Sequence, residues 1–412
     1  MKRFLTAILI LSMMLSLVCC TKGEDAETEG TTTDSSPNEI ESSEKVTDED
    51  TEKDTDSDIE TEIEVNKVIA PENGAVIVLA NDEVYGWWEK YNYGKTDSSP
   101  FYRHEDIYYP NSVSFSWDVD EKADYYKLLI SRDKDFAPSE TESYLVNTAS
   151  LTLSHLFTGT EYYWKVLGAE ITDDGERLYS VVDTVSFTTA ESPRCLEVEG
   201  VSNTRDIGGL KTLDGKRIKQ GMIYRGGKLE GITEEGKEFF LNYLNIQTDL
   251  DLRTPGEGGA GSGSPLGNDI NYVNFNGRYY VGGMGINTED GKKVFADEIR
   301  VFANPDNYPI YIHCSLGRDR TGTLAFVIEA LLGVSKNNLI MDYELSVFSV
   351  GGTLDNASIQ AIKNNIFATY DYISQNFEGS SLAEKTENYL LSIGITEYEI
   401  ETIRNLLLEE VK

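Results

Sequence analysis

The sequence predicts a multidomain chain in which a β-sandwich is followed by an α/β domain, behind an N-terminal export segment and an acidic stalk. Three stretches carry that reading. Residues 21–65 hold 18 acidic against 3 basic residues and scarcely a large apolar one, so no core can form there. Residues 67–190 alternate apolar and polar positions in short runs broken by turn residues. Further on, the β-branched and aromatic run Ile310-Tyr311-Ile312 breaks at a glycine-bearing polar loop. It resumes as the apolar stretch Thr323 to Val334, long enough for a buried helix.

Composition narrows the partners. The chain has 412 residues and a formal net charge of −35, which excludes nucleic acid and anionic membrane surfaces as partners for its surface as a whole. The four cysteines are Cys19, Cys20, Cys195 and Cys314. They form no disulfide framework, although a Cys195 to Cys314 bridge stays open on sequence alone.

Taken in order, Met1-Lys2-Arg3 and the apolar run Phe4 to Val18 read as an export signal, too short for a comfortable membrane span. It ends in Leu17-Val18-Cys19-Cys20 and so resembles a bacterial lipoprotein lipobox. That resemblance implies residues 1–20 as signal, Cys20 as the lipidated residue, and attachment to the extracytoplasmic face of a bacterial membrane. Residues 21–65 then read as an extended, self-repelling stalk.

Residues 66–191 give the sandwich. Ser112–Trp117, Tyr125–Ile130, Leu151–Leu153, Tyr162–Val166 and Asp183–Thr188 read as strands. The run Leu156-x3-Thr160-x-Tyr162-x-Trp164-x-Val166 is similar to that of fibronectin type III domains. The similarity implies a corner made by Tyr162 and a core filled by Trp164. Between Ala80 and Pro110 lies an aromatic-rich insertion with Tyr85, Trp87, Trp88, Tyr91, Tyr93, Phe101, Tyr102, Tyr108 and Tyr109. These rings either pack against the folded regions, the reading preferred here, or form an exposed surface for a sugar or a cell-surface protein. His104 and His155 have no carboxylate or cysteine at metal-ligand spacing and are given no metal role.

Ser192-Pro193-Arg194-Cys195 marks the junction to the domain at 195–412. Thr233 to Leu244 reads as an amphipathic helix with Phe239, Phe240 and Tyr243 on one face, and Ile246 to Leu252 as a buried strand. Asp251 and Arg253 then fall where strand becomes loop, the ligand side of open α/β folds. Gly256 to Gly267 reads as a mobile loop, either a gate or a plain connection. Ser380 to Val411 is helical by period.

The chemistry concentrates at His313-Cys314-Ser315-Leu316-Gly317-Arg318-Asp319-Arg320-Thr321-Gly322. A loop entering a helix N-terminus turns its N–H groups inward and, with the helix dipole, forms an anion site. Ser315 through Arg320 are the phosphate-binding candidates. A cysteine at the head of that loop is driven toward thiolate, which makes Cys314 a nucleophile. Arg320 offers a planar fork for two phosphoryl oxygens, and Thr321 brings a hydroxyl near the sulfur. His313 reads as a packed residue orienting Cys314. Asp319 has two readings, an acid or a helix cap.

His313-Cys314-x5-Arg320-Thr321-Gly322 resembles the signature of the cysteine-dependent protein tyrosine phosphatase superfamily. The Gly317-Arg318-Asp319-Arg320-Thr321-Gly322 core is similar to that of bacterial tyrosine/serine phosphatases that also act on phosphoinositides, with Arg318 where they carry lysine. Asn203–Gly209, Tyr224–Gly227, Asp251–Arg253 and Asp342–Ser346 resemble further blocks of that bacterial family, in order.

The resemblance implies a two-step phosphomonoester hydrolase, a tyrosine or dual-specificity phosphatase working through a phosphocysteine with no metal or cofactor. Asp319 is the first candidate for the general acid, Asp251 the second and Asp206 the third. Arg205 and Arg253 either bind substrate or pair with these acids. The alternatives are a phosphoinositide or inositol phosphate substrate and, in another class, a surface lipoprotein that binds a phospho-ligand without turnover.

Overall fold

The computed structural model describes residues 69–101, 108–278, 280–282, 285–349 and 356–411. The export segment, Cys19, Cys20, the acidic stalk, Tyr102 and His104 lie outside them.

Alternation of apolar and polar residues puts the first half into sheets. Strands β1 (Ala75–Ile77), β3 (Tyr125–Ser131), β4 (Thr141–Val146), β6 (Glu161–Thr172) and β7 (Gly175–Thr189) form a sheet in the order β1-β7-β6-β3-β4. Strands β2 (Val113–Ser116) and β5 (Ser150–Leu153) pair separately. Phe115, Trp117, Leu128, Trp164, Val166 and Phe187, drawn from both sheets, share one buried cluster. The Tyr162 hydroxyl accepts the Phe157 N–H at 2.8 Å, which fixes the turn into β6. Strand β4 was not anticipated because it has no alternating buried face. Its edge position supplies backbone partners without a hydrophobic stripe.

The described part of the insertion is packed. Helix α1 (Asp82–Lys90) starts where Asn81 accepts the Glu83 N–H at 3.0 Å. It buries Val84 and Trp87. The Trp87 ring meets Phe348 edge-on at 5.1 Å, and its Nε1–H donates to Ser98 Oγ at 3.2 Å. Ser98 donates on to Glu344 at 2.7 Å. The Tyr108 hydroxyl donates to the Thr204 carbonyl at 3.1 Å. Of these rings, Tyr93 is 38% exposed, with the Lys336 ammonium 4.6 Å above it.

Residues 65–412 consequently form one compact unit, and the junction expected at 192–195 is not a break in packing. Arg194 explains why. Its buried guanidinium lies 4.4 Å over Phe157, donates to the carbonyls of His155 and Leu156, and pairs with Asp206 at 2.7 Å.

The second half contains strands β8 (Arg194–Cys195), β9 (Arg205–Asp206), β10 (Lys216–Ile218), β11 (Ile223–Gly226), β12 (Thr248–Asp251), β13 (Asn271–Asn274), β14 (Ile310–His313) and β15 (Leu408–Glu410). Six form a sheet in the order β13-β12-β14-β11-β9-β8, with β13, β12, β14 and β11 parallel, and β10 pairs with β15. The register sets Gly226 and Asp251 on either side of His313, so three strand ends open at one edge.

Helices α2 (Glu234–Glu238), α3 (Glu289–Val301), α4 (Asp319–Leu331), α5 (Lys336–Leu345), α6 (Asn356–Asn376), α7 (Leu382–Ser392) and α8 (Glu397–Leu407) complete the described fold. Helix α4 is buried from Thr321 to Leu331, matching its apolar sequence.

Two expected helices differ. Thr233 to Leu244 becomes α2 followed by a wider π-turn at Phe239–Tyr243. The widening sends Phe240 to the core while Phe239 and Tyr243 stack on each other at 5.2 Å, beside His155. The C-terminal run breaks at Gly394, which has φ +94°, and ends in β15. Among the described residues no helix is long and apolar enough to cross a membrane.

Replacing Trp87 by alanine should cost about 3–5 kcal/mol, the usual penalty for emptying a large aromatic site. Urea unfolding of the full chain, followed by tryptophan fluorescence and circular dichroism, measures it.

Candidate active site

Strand β14 delivers Cys314 to the open sheet edge, and the loop 314–318 leads into α4. Glycine is required at 317, which has φ +69°. A side chain there would begin 2.2 Å from the Gly226 carbonyl oxygen. The loop is held from outside through its carbonyls. Asn203 Nδ2 donates to Leu316 O at 2.9 Å and Arg225 Nη2 to Gly317 O at 2.9 Å. A loop so held ahead of a helix N-terminus is the kind of backbone that can offer its N–H groups to an anion.

Those two anchors share a buried charge network. Asp342 on α5 accepts Arg205 Nε at 2.8 Å with one oxygen and Arg225 Nη1 with the other. Arg205 also donates to Asn203 Oδ1 at 2.6 Å and to the Asp342 carbonyl at 2.8 Å. Burial opposes ionisation of Asp342, but the two guanidiniums outweigh it and hold its carboxyl below the usual range. Arg205 thus pairs with an acid and sits fully buried.

Cys314 is buried and reduced, as is Cys195. Burial pushes the Cys314 thiol up, while the hydroxyl and N–H of Thr321 and the charge of Arg320 pull it down, with a net lowering. Burial pushes the Cys195 thiol up to about 12, so it stays a thiol. The Arg320 guanidinium stands beside the Cys314 sulfur and donates to Glu257 through Nη1 at 2.8 Å and Nη2 at 2.7 Å. His313 is held at both ring nitrogens. Its Nε2 meets Asp249 Oδ1 at 2.8 Å, its Nδ1 faces the Cys314 carbonyl at 3.3 Å, and its ring stacks on Tyr311.

The three candidate acids part company. Asp206 has a fully buried side chain that accepts from Arg194 and from the N–H groups of Gly208 and Gly221. Burial raises its pKa in spite of those donors. Asp251, also fully buried, accepts from Arg253 and from Tyr272. Burial opposes its charge, yet Arg253 and His313 bring its pKa below the ordinary value, so it is ionised and proton-free near neutrality. Arg253 is accordingly an ion-pair partner, bound to Asp251 and Glu230.

Asp319 keeps 30% of its side chain exposed. It is the first residue of α4, and the N-cap place is taken by Arg318. Its carboxylate accepts from Tyr280, from Tyr343 at 3.3 Å and from Arg318 at 3.3 Å. The Tyr280 and Tyr343 hydroxyls are 2.6 Å apart. Of the remaining loop residues, Leu316 is 41% exposed and Ser315 donates to Glu257 at 2.6 Å.

A parallel-sheet edge that presents a lowered cysteine, an arginine and a carbonyl-anchored anion loop defines a cysteine-based site for an oxyanion. The chain belongs to the tyrosine phosphatase family, whose model matches residues 196–409, more than half of its length. A protein of Cupriavidus necator named as a tyrosine-protein phosphatase is 25% identical over 171 residues, covering 36% of this chain and 61% of that one. Another, of Dictyostelium discoideum, is 33% identical over 52 residues, covering 13% of this chain and 31% of its own. The chain therefore spans less than two thirds of either relative. Among solved structures, the catalytic core of the S. cerevisiae PP-IP phosphatase Siw14 in complex with citrate is 22% identical, with 36% of this chain and 84% of that one covered. Its TM-score of 0.24 is too low to bear on the site.

Glu257, Asp249 and Tyr280 were not singled out from sequence, and Asp342 and Tyr343 appeared only within a block. Glu257 did leave one signal, as the only acid between Thr254 and Gly267. The stretch around it is pinned rather than loose. Gly258 O accepts from Arg253 at 3.1 Å, Ala260 O from the Gly256 N–H at 2.8 Å, and Tyr272 OH from the Gly261 N–H at 2.8 Å.

His313 provides a pH test. Burial lowers its pKa, but the Asp249 charge and hydrogen bond outweigh burial and leave it raised. The pair's stabilisation is then full below about pH 6.5, the unfolded value, and is lost as pH rises through the folded one. Urea melts of wild type and Asp249→Asn should differ most below that pH and converge above it.

Proposed function

We propose that the chain is a phosphomonoester hydrolase acting as a protein tyrosine phosphatase, with dual specificity, through a phosphocysteine. The observation that carries this is geometric: Cys314 stands at the end of β14, ahead of the loop into α4, with the Arg320 guanidinium beside its sulfur. In the first step the Cys314 thiolate attacks phosphorus, an S–P bond forms and the ester P–O bond breaks. Asp319 gives its proton to the leaving oxygen. In the second step water attacks the phosphocysteine, Asp319 takes a proton from it, and Cys314 leaves as thiolate. Asp319 is preferred over Asp251 and Asp206 because of its 30% exposure against 0% for both.

A phosphorylated inositol or lipid headgroup is the second reading. It is favoured by Lys228, which is exposed and whose backbone N–H lies 3.4 Å from Ser315 O beside the loop. The third, binding without turnover, gains nothing from a lowered thiol, since a reader needs no nucleophile.

The reading extends to the whole chain as a lipoprotein with lipid on Cys20, an acidic stalk at 21–65 and a fibronectin type III-like module. Support for the module comes from Trp164 at 0% exposure and from the Tyr162 hydroxyl bonded to Phe157 N. Cys20→Ser should move the chain expressed in a bacterium from the detergent phase to the aqueous phase of a Triton X-114 partition. An unchanged partition would remove the lipid anchor.

The enzymatic reading is tested by the purified chain on phosphotyrosine peptide, phosphoserine peptide and phosphoinositide, side by side. Cys314→Ser should abolish turnover on all three. Asp319→Asn should lower the rate on the alkyl esters by about 10²–10⁴-fold, the range for a general acid, and less on the phenolic ester. No turnover under reducing conditions sinks the phosphatase reading.

A further inference from the structure

The aromatic insertion of the first half sends one side chain into the support of the anion loop. Tyr108, near the end of that insertion, is 1% exposed. Its hydroxyl donates to the Thr204 carbonyl at 3.1 Å and accepts from Arg205 Nη1 at 3.4 Å. A buried tyrosine needs a partner for its hydroxyl, and the carbonyl alone would satisfy it. The second partner leads further. Arg205 Nη1 also donates to Asn203 Oδ1 at 2.6 Å, and Asn203 Nδ2 holds Leu316 O at 2.9 Å. Three hydrogen bonds in series therefore join Tyr108 to the backbone of the loop.

The insertion also grips the other side of the same network. Ser98 donates to Glu344 at 2.7 Å, and the rings of Trp87 and Phe101 lie 5.1 and 4.8 Å from that of Phe348. Between Glu344 and Phe348 stands Ser346, whose Oγ accepts from Asn203 Nδ2 and from Arg205 Nη2, both at 3.2 Å. Residues 342–349 thus meet the network through Asp342, Ser346 and Ser349 and the insertion through Glu344 and Phe348. Residues 80–110 lie outside the stretch 196–409 that matches the family model, so this support comes from beyond that domain.

We propose that Tyr108 is a positioning residue for the loop at 314–318, acting through Arg205 and Asn203, so that the first half of the chain helps to set the anion site. The proposal rests on the phosphatase reading for its purpose, but its test does not need turnover. A displacement of the insertion then reaches the site without touching substrate, because the contacts between them are continuous.

The test uses the full chain as wild type, Tyr108→Phe and Phe115→Leu. Phenylalanine keeps the ring and its packing, so the fold is retained and only the hydroxyl contacts go. Phe115 lies in the sandwich core, so Phe115→Leu costs stability without touching the network. The rate of Cys314 alkylation by iodoacetamide is followed against pH by peptide mass mapping, with and without inorganic phosphate. In Tyr108→Phe the phosphate concentration that gives half protection should rise by about 2- to 30-fold, the range for a residue acting through a packed network. The alkylation midpoint should move to higher pH, because a looser loop holds the thiolate less well. Phe115→Leu should show neither change.

Unchanged protection and midpoint in Tyr108→Phe would overturn the proposal. Equal changes in Phe115→Leu would overturn it too, since the effect would then follow stability and not the hydroxyl. If phosphate protects wild type and no ester is hydrolysed, the phosphatase reading falls while the comparison of variants still decides the role of Tyr108. A wild type that phosphate does not protect would sink both.

Discussion

The shared carboxylate of Asp342 is the constraint on which the rest of the site depends. Two guanidiniums, Arg205 and Arg225, converge on it from β9 and β11, and α5 supplies it from the opposite side of the sheet edge. An unpaired buried charge of either sign would be costly, and here one carboxylate partners both guanidiniums. Their remaining donors, with Asn203, hold the carbonyls of Leu316 and Gly317. Without those anchors the loop would have several conformations in place of one.

That arrangement separates scaffolding charge from working charge. Asp206, Asp251, Arg205, Arg225 and Arg253 are all buried and all paired with partners. Cys314, Asp319 and Arg320 sit where the strand ends open. The same residue types thus serve opposite ends, and burial decides which. A sequence motif that names an Asp or an Arg cannot draw that line, because it records the type and not the environment.

Much of the loop at 314–322 was nonetheless legible in sequence. Cys314 through Gly322 is contiguous, so strand, loop and helix could be read from one stretch, as could the buried α4. What was not legible comes from parts of the chain that only the fold brings together. Asp249 reaches His313 through the β12–β14 register, and Glu257 reaches Arg320 from a turn whose composition suggests looseness. The turn is ordered by bonds to Arg253 and Tyr272, which no composition rule contains. In the first half, alternation found strands with a buried face and passed over β4, which has none. The aromatic insertion showed its packing tendency but not its partner. Trp87 meets Phe348, more than two hundred and fifty positions away.

That distance has a consequence for the order in which the molecule is assembled. The strands β1 to β7 have all their sheet partners by Thr189, so the emerging chain can close that half early. Trp87, Tyr91 and Tyr108 share their buried cluster with Phe348, Met341 and the strands of the later half. Until those arrive, the rings lack the partners that bury them. The burial of those rings is therefore completed only by the last segments of the chain, whichever half folds first.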